Sequence, residues 1–203
     1  RVVAGWRCCH RRLGGTMNIE ELAAAVIDAC EEAGVEHMLT GAFATSIYGV
    51  PRSTSDVDVV VDAAVGEPIQ RVVSKLTPLV IFDPQVQFDT LTWGRRHVGT
   101  TRTDPPLLVE LFALFDDAFV KHQFSRRRRL VLPSLGRAVW VPRLEDVVVQ
   151  KIRWGRAKDL DDARDVLAVQ GLERVDLAAI RSWCLLHGTL DRLDAVIAAI
   201  PPG

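Results

Sequence analysis

Apolar and polar positions along this chain repeat with two different periods, and the switches between them mark off its elements. Over residues 19–33, Leu22, Val26, Ile27 and Cys30 recur at helical spacing, with Glu20, Glu21, Asp28, Glu31 and Glu32 elsewhere. That spacing predicts an amphipathic helix, capped by Asn18 and stopped at Gly34. Residues 35–40 read as a short strand, which runs into a small-residue turn at Gly41-Ala42, a short helix, and a second turn over residues 49–52. The period then drops to two. Asp56 and Asp58 fall on one face of the next strand, and Val57, Val59 and Val61 on the other.

Beyond that strand, Gly66-Glu67-Pro68 opens a helix over residues 69–76. Strands are predicted over 79–82, 86–93 and 98–101, followed by a polar loop over 102–106. Residues 107–112 form an apolar strand interrupted by one acid, Glu110. Residues 130–132 and 138–141 pair as a hairpin through the turn at 133–136. Pro142 is placed to start a helical region carrying Leu144, Val147, Val148, Lys151 and Ile152. Two more helices follow over 175–186 and 189–200, separated by Gly188, with Ala179, Trp183 and Leu186 on a packing face. The predicted fold is α/β (α+β): a small mixed, twisted sheet flanked by helices, with a core over 17–141 and a helical segment over 142–203 packed on it. Residues 1–16 are rich in arginine and show neither a helical period nor the apolar run of a signal peptide, so a disordered or non-native extension is expected there.

Composition narrows the function classes. The 203 residues are 48% hydrophobic and 25% charged, with a net charge of −1, so no global basic field marks a nucleic-acid binder. Four cysteines, two of them adjacent at Cys8 and Cys9, fit neither a disulfide framework nor a zinc site and predict a cytoplasmic, reducing location. No segment approaches the ~20 apolar residues of a membrane span.

The candidate chemistry sits on the strands. Asp56 and Asp58 lie roughly 7 Å apart on one face, at ~3.3 Å per residue. Two such carboxylates repel unless a cation lies between them, which points to Mg²⁺ or Mn²⁺. The alternative is a solvated acidic edge strand. Gly41 and Ala42 let the backbone approach a ligand, and the helix after them offers free N–H groups to an anion. Glu110, inside an apolar strand, needs a cation, a partner or a raised pKa, unless it faces water or pairs with an arginine. Lys151 lies on an apolar helix face, where lysine is rarely buried without a partner. Lys158 is either a phosphate ligand or a solvated side chain, and Asp159, Asp161 and Asp162 read as charges at a helix start. His37 reads as a strand histidine with a local partner. Arg95, Arg96 and His97 read as a basic cluster in a solvated loop, with phosphate contact as the alternative, and the run from Arg126 to Arg129 as a solvated hairpin face. Only on the rim of the acidic cleft could that run hold an RNA backbone.

The segment TGAFATSIYGVPRSTSDVDVVVD resembles the signature of the nucleotidyltransferase superfold, in particular the minimal bacterial nucleotidyltransferases of the AbiEii-like toxin group and their uncharacterised relatives. Gly41-Ala42 matches the small-residue pair, Arg52 and Thr54 the polar spacer, and Asp56 and Asp58 the acidic strand. Ala42 departs from the common pattern by offering no hydroxyl, which shifts phosphate contact to backbone N–H groups or to Thr40, Thr45 or Ser46. VPRLEDVVVQKIRWGRAKDLDDARDVL resembles a later, lysine-bearing helix of the same family. The resemblance implies Asp56, Asp58 and Glu110 as catalytic and metal-holding residues, with Gly41, Ala42, Ser46, Arg52, Thr54, Lys151 and Lys158 at the nucleotide. It implies Mg²⁺ (or Mn²⁺), a nucleoside triphosphate (NTP) as substrate, and transfer of its NMP to RNA such as a tRNA end, a protein or a small molecule. A toxin role with a cognate antitoxin is part of the same implication. The alternative is a catalytically inactive nucleotide-binding, regulatory or antitoxin-like module of the same fold.

Overall fold

The computed structural model describes residues 17–62, 67–90 and 94–201. The expected extension over 1–16 lies outside them. Asn18 caps the first helix, α1 (Ile19–Glu32), reciprocally: its side chain accepts from the Glu21 N–H at 2.7 Å, and the Glu21 carboxylate accepts from the Asn18 N–H at 3.1 Å. Then follow β1 (His37–Leu39), α2 (Gly41–Tyr48), β2 (Asp56–Val61), α3 (Glu67–Leu76), β3 (Val80–Phe82), β4 (Gln87–Asp89), β5 (Gly94–Thr101) and β6 (Leu108–Ala113). His37 finds its local partner, the Val35 carbonyl, at 3.1 Å. After α4 (Ala118–Ser125) come the hairpin strands β7 (Arg128–Leu132) and β8 (Arg137–Val141), and then the helices α5 (Leu144–Trp154), α6 (Ala157–Gln170), α7 (Leu177–Leu186) and α8 (Leu190–Ala198).

The main sheet is mixed, with order β1-β2-β6-β5-β3 and β4 also on β5; β2 and β6 are parallel, and the other pairs antiparallel. The predicted alternation of β2 holds. Val57, Val59 and Val61 are fully buried against α1 and α3, which leaves the aspartates on the opposite face. A second apolar cluster joins α5–α8 to Ala44 and Tyr48 of α2 and to Phe119 of α4. The chain thus has a sheet core and a helical core, and α2 lies where they meet.

Three local expectations are corrected, and one helix was not foreseen. Arg95, Arg96 and His97 belong to β5 rather than to a basic loop, because they complete its ladder with β6 and β4. The strand expected over 86–93 is three residues long where described, with residues 91–93 outside the described set. Helix α4 had no counterpart in the pattern, although Asp117 caps it by accepting from the Val120 N–H at 2.9 Å. Pro142 precedes α5 rather than entering it.

Candidate active site

Strand register brings the charged groups together. Asp58 lies opposite Glu110 across the parallel β2–β6 pair, and Glu110 lies opposite Val98 of β5. Arg96, two residues before Val98, therefore shares a sheet face with Asp56, Asp58 and Glu110. All four line a cavity of about 230 Å³.

Asp58 is packed directly under the start of α2. A Cβ on Gly41 would lie 1.8 Å from the Asp58 Oδ2, and Gly41 has φ +62°. Space and conformation both demand glycine there. The Thr40 N–H donates to the Asp58 carbonyl at 2.9 Å, which ties strand and turn together. Thr40 is the N-cap of α2, yet its hydroxyl makes no capping bond, and it lines the cavity with Gly41 and Ala42. Asp56 is set by its own neighbours: its N–H donates to the Thr54 hydroxyl at 3.2 Å, and Ser55 donates to its Oδ1 at 2.8 Å.

The Asp58 carboxyl is pushed up to about 7, first by burial and then by the charges of Glu110 and Asp56; Lys151 pulls weakly the other way. Arg96 partly balances the cluster, with its Nη1 3.1 Å from both Glu110 carboxylate oxygens and its Nη2 3.4 Å from the Gln87 amide oxygen. Among the described residues no group of three acidic, imidazole or thiol side chains is already arranged around an ion position. The donor set nevertheless fits a hard cation. It consists of carboxylate oxygens on adjoining strands, where burial first and mutual repulsion second push the Asp58 carboxyl up to about 7. Occupancy would need Glu110 to exchange Arg96 for the ion.

The opposite wall, from α5, α6 and the turn before β2, is charged but balanced. Lys151, 4% exposed, lies 2.7 Å from Asp162 and 3.2 Å from Asp159. Arg52 grips Asp162 with two bonds of 3.1 and 3.3 Å, and Arg156 grips Asp159 at 2.5 and 3.2 Å. Burial alone would raise the Asp159 carboxyl; the Arg156 hydrogen bond and the Lys151 and Arg156 charges outweigh it and hold it below the usual range. Asp159 and Asp162 are thus buried counter-ions rather than solvated helix-start charges, whereas exposed Asp161 pairs locally with Arg164 at 3.0 Å.

The residues expected at the nucleotide divide accordingly. Gly41, Ala42, Arg52, Thr54, Lys151 and exposed Lys158 line the cavity with the three acids. Ser46 does not line it, and Thr45 is buried with its hydroxyl donating to the Gly41 carbonyl at 3.1 Å. The arginine run is dispersed over intrachain partners. Arg126 donates to His122, Arg127 pairs with Glu36 and stacks on Phe124 and Trp140, Arg128 donates to the Tyr48 hydroxyl, and Arg129 reaches Glu31. None of the four lines the cavity. Arg156, Trp154, Gln123 and Gln150 were missed, and Arg96, named only as part of a basic cluster, lines the cavity as the partner of Glu110.

Against known proteins, the fold is recognisable and the sequence is not. No protein-family model matches the chain, and no curated protein matches it by sequence. Among solved structures it is similar to an antigenic nucleotidyltransferase-like protein from Paracoccidioides brasiliensis (TM-score 0.54, 17% identity, 90% of this chain and 94% of that one). It is similar also to JHP933 from Helicobacter pylori (0.51, 16%, 92% and 93%) and to the antibiotic-resistance factor ANT(2'')-Ia (0.53, 15%, 87% and 96%). The chain has the nucleotidyltransferase fold. No helix among the described residues is long and apolar enough to cross a membrane.

Proposed function

We propose that this protein is a metal-dependent nucleotidyltransferase that moves an NMP from an NTP to an acceptor. The observation that carries the reading is the Asp58 carboxyl, packed under Gly41 beside two other acids and pushed up to about 7, first by burial and then by their charges. A structural strand gains nothing from such a cluster, whereas a site for cationic charge and phosphate uses it. Asp56 and Asp58, with Glu110 once released from Arg96, would hold Mg²⁺ or Mn²⁺; bound there, the ion neutralises charge on the phosphates and on the leaving oxygen. The turn at Gly41, the free N–H groups of α2 and the Thr40 hydroxyl would seat the phosphates, with Lys158 at the mouth. The acceptor oxygen or nitrogen bonds to the α-phosphorus as the α–β bridging P–O bond breaks, and pyrophosphate leaves with that electron pair. The acceptor's proton passes to solvent.

The fold neighbour ANT(2'')-Ia has been seen with adenylyl-2''-tobramycin, so this architecture accommodates a small-molecule acceptor. The arginine run, spent on intrachain partners, gives no support to RNA as the acceptor here. A second reading has its own observation: the Arg96–Glu110 pair leaves the third acid already satisfied, as a nucleotide-binding module without turnover would allow. Incubating the protein with labelled NTPs, Mg²⁺ and small-molecule, protein and RNA acceptors separates the two. Transfer should fall by at least about a thousandfold in Asp56→Ala/Asp58→Ala. NTP binding with no transfer to any acceptor would favour the module.

A further inference from the structure

On the strand wall, Arg96 stands against one of the carboxylates that an ion would need. It reaches Glu110 from the adjoining strand β5, two residues from the register position opposite that acid. Its Nη1 lies 3.1 Å from each oxygen of the Glu110 carboxylate and so straddles the group. A hard cation ligated by that carboxylate takes the same oxygens at about 2.0–2.6 Å. Guanidinium and ion therefore compete for Glu110. The guanidinium cannot yield by losing its proton, because arginine stays charged at any physiological pH.

The outcome depends on where Arg96 can turn. Its side chain is 27% exposed and lines the same cavity as Thr40 and Gly41, at the start of α2. Among the described residues, the carboxylates lining that cavity are Asp56, Asp58 and Glu110, which are the ion's own ligands in the reading above. Asp159 and Asp162, on the helical side, are held by Lys151, Arg52 and Arg156. An anion new to the cavity must therefore arrive with a ligand. A phosphate group supplies one, and its oxygens accept the paired hydrogen bonds that a guanidinium offers. Parting a half-buried ion pair is costly, so an ion alone binds against that cost, and a triphosphate removes it.

We propose that Arg96 is a latch on the metal site: it keeps divalent cations off Glu110 until a triphosphate takes the guanidinium, so that ion and nucleotide load as a pair. This rests on the reading that the three acids hold a metal beside a triphosphate. By linkage, each of the two ligands tightens the other through this one side chain.

Two titrations of the intact protein test the latch: Mn²⁺ alone, followed by electron paramagnetic resonance, and the Mn²⁺ complexes of non-hydrolysable analogues of the four common NTPs, followed by calorimetry. Arg96→Met, which keeps the length and removes the charge, should bind Mn²⁺ alone about tenfold tighter than the wild type and the best Mn²⁺–nucleotide complex about tenfold weaker. A side chain that only supported the fold would weaken both, so the opposite signs are the signature. Should Arg96→Met fail to fold, by its thermal unfolding profile, the wild type decides by nuclear magnetic resonance. Mg²⁺ alone should leave the Arg96 side-chain N–H resonance in place, and Mg²⁺ with the analogue should shift it. Mn²⁺ affinity unchanged or lowered in Arg96→Met, nucleotide affinity unchanged there, or a resonance that moves with Mg²⁺ alone or not at all overturns the latch and leaves the metal-dependent reading standing. Failure of the wild type to bind any Mn²⁺–nucleotide complex overturns both.

Discussion

Two walls of one cavity carry charge in opposite ways. On the strand wall, Asp56, Asp58 and Glu110 crowd together with Arg96 as their partial counterweight, and burial together with their repulsion pushes the Asp58 carboxyl up to about 7. On the helical wall, Lys151, Arg52 and Arg156 interlock with Asp159 and Asp162 at 2.5–3.3 Å. The strand wall is electrostatically unfinished, and the helical wall is closed on itself. Charge alone therefore does not mark a functional site; uncompensated charge on rigid elements does. Substitutions should then act with opposite sign on the two walls.

The largest effect on stability is expected from the helical wall. Lys151→Ala leaves two buried carboxylates short of a cation and should cost about 3–5 kcal/mol in urea unfolding. If it costs no more than an exposed lysine would, the contrast between the walls collapses. Gly41→Ala comes next, because the added methyl meets the Asp58 carboxylate in a left-handed backbone conformation. A loss of about 2–3 kcal/mol is expected, with transfer activity abolished. The smallest effect is on the strand wall itself. With divalent ions chelated, folded Asp58 holds its proton to about pH 7, against 3.8 for an ordinary aspartate. The folded state thus binds more protons than the unfolded chain, so stability falls as pH rises between those two values. Unfolding in EDTA should be easier at pH 8 than at pH 5 by on the order of 2 kcal/mol, and Asp58→Asn should flatten that slope. A rising slope instead would show that the acids are already balanced.

Much of the strand wall was legible in the sequence because its information is local. The two-residue period placed both aspartates on one face, and Gly41 lay where the chain had to turn tightly. The helical wall was not legible. Asp159 and Asp162 look like any charges early in a helix until α6 folds back on α5 and sets them against Lys151. Arg96 was hidden in another way. Its neighbours are basic and polar, and only pairing with β6 decides that it, rather than Arg95, faces Glu110. The arginine run misled for the converse reason: four like charges in sequence are four separate ion pairs and stacking contacts in space. Helix α4 carries too short an apolar pattern to announce itself, although the Asp117 cap is visible afterwards.

Asp162 has one more consequence. It is shared between Arg52, on the turn leading into β2, and Lys151, in the middle of α5. Parting those two segments would strip Arg52 from a buried carboxylate that Lys151 alone must then balance, so Asp162 acts as a rivet between the turn before β2 and α5.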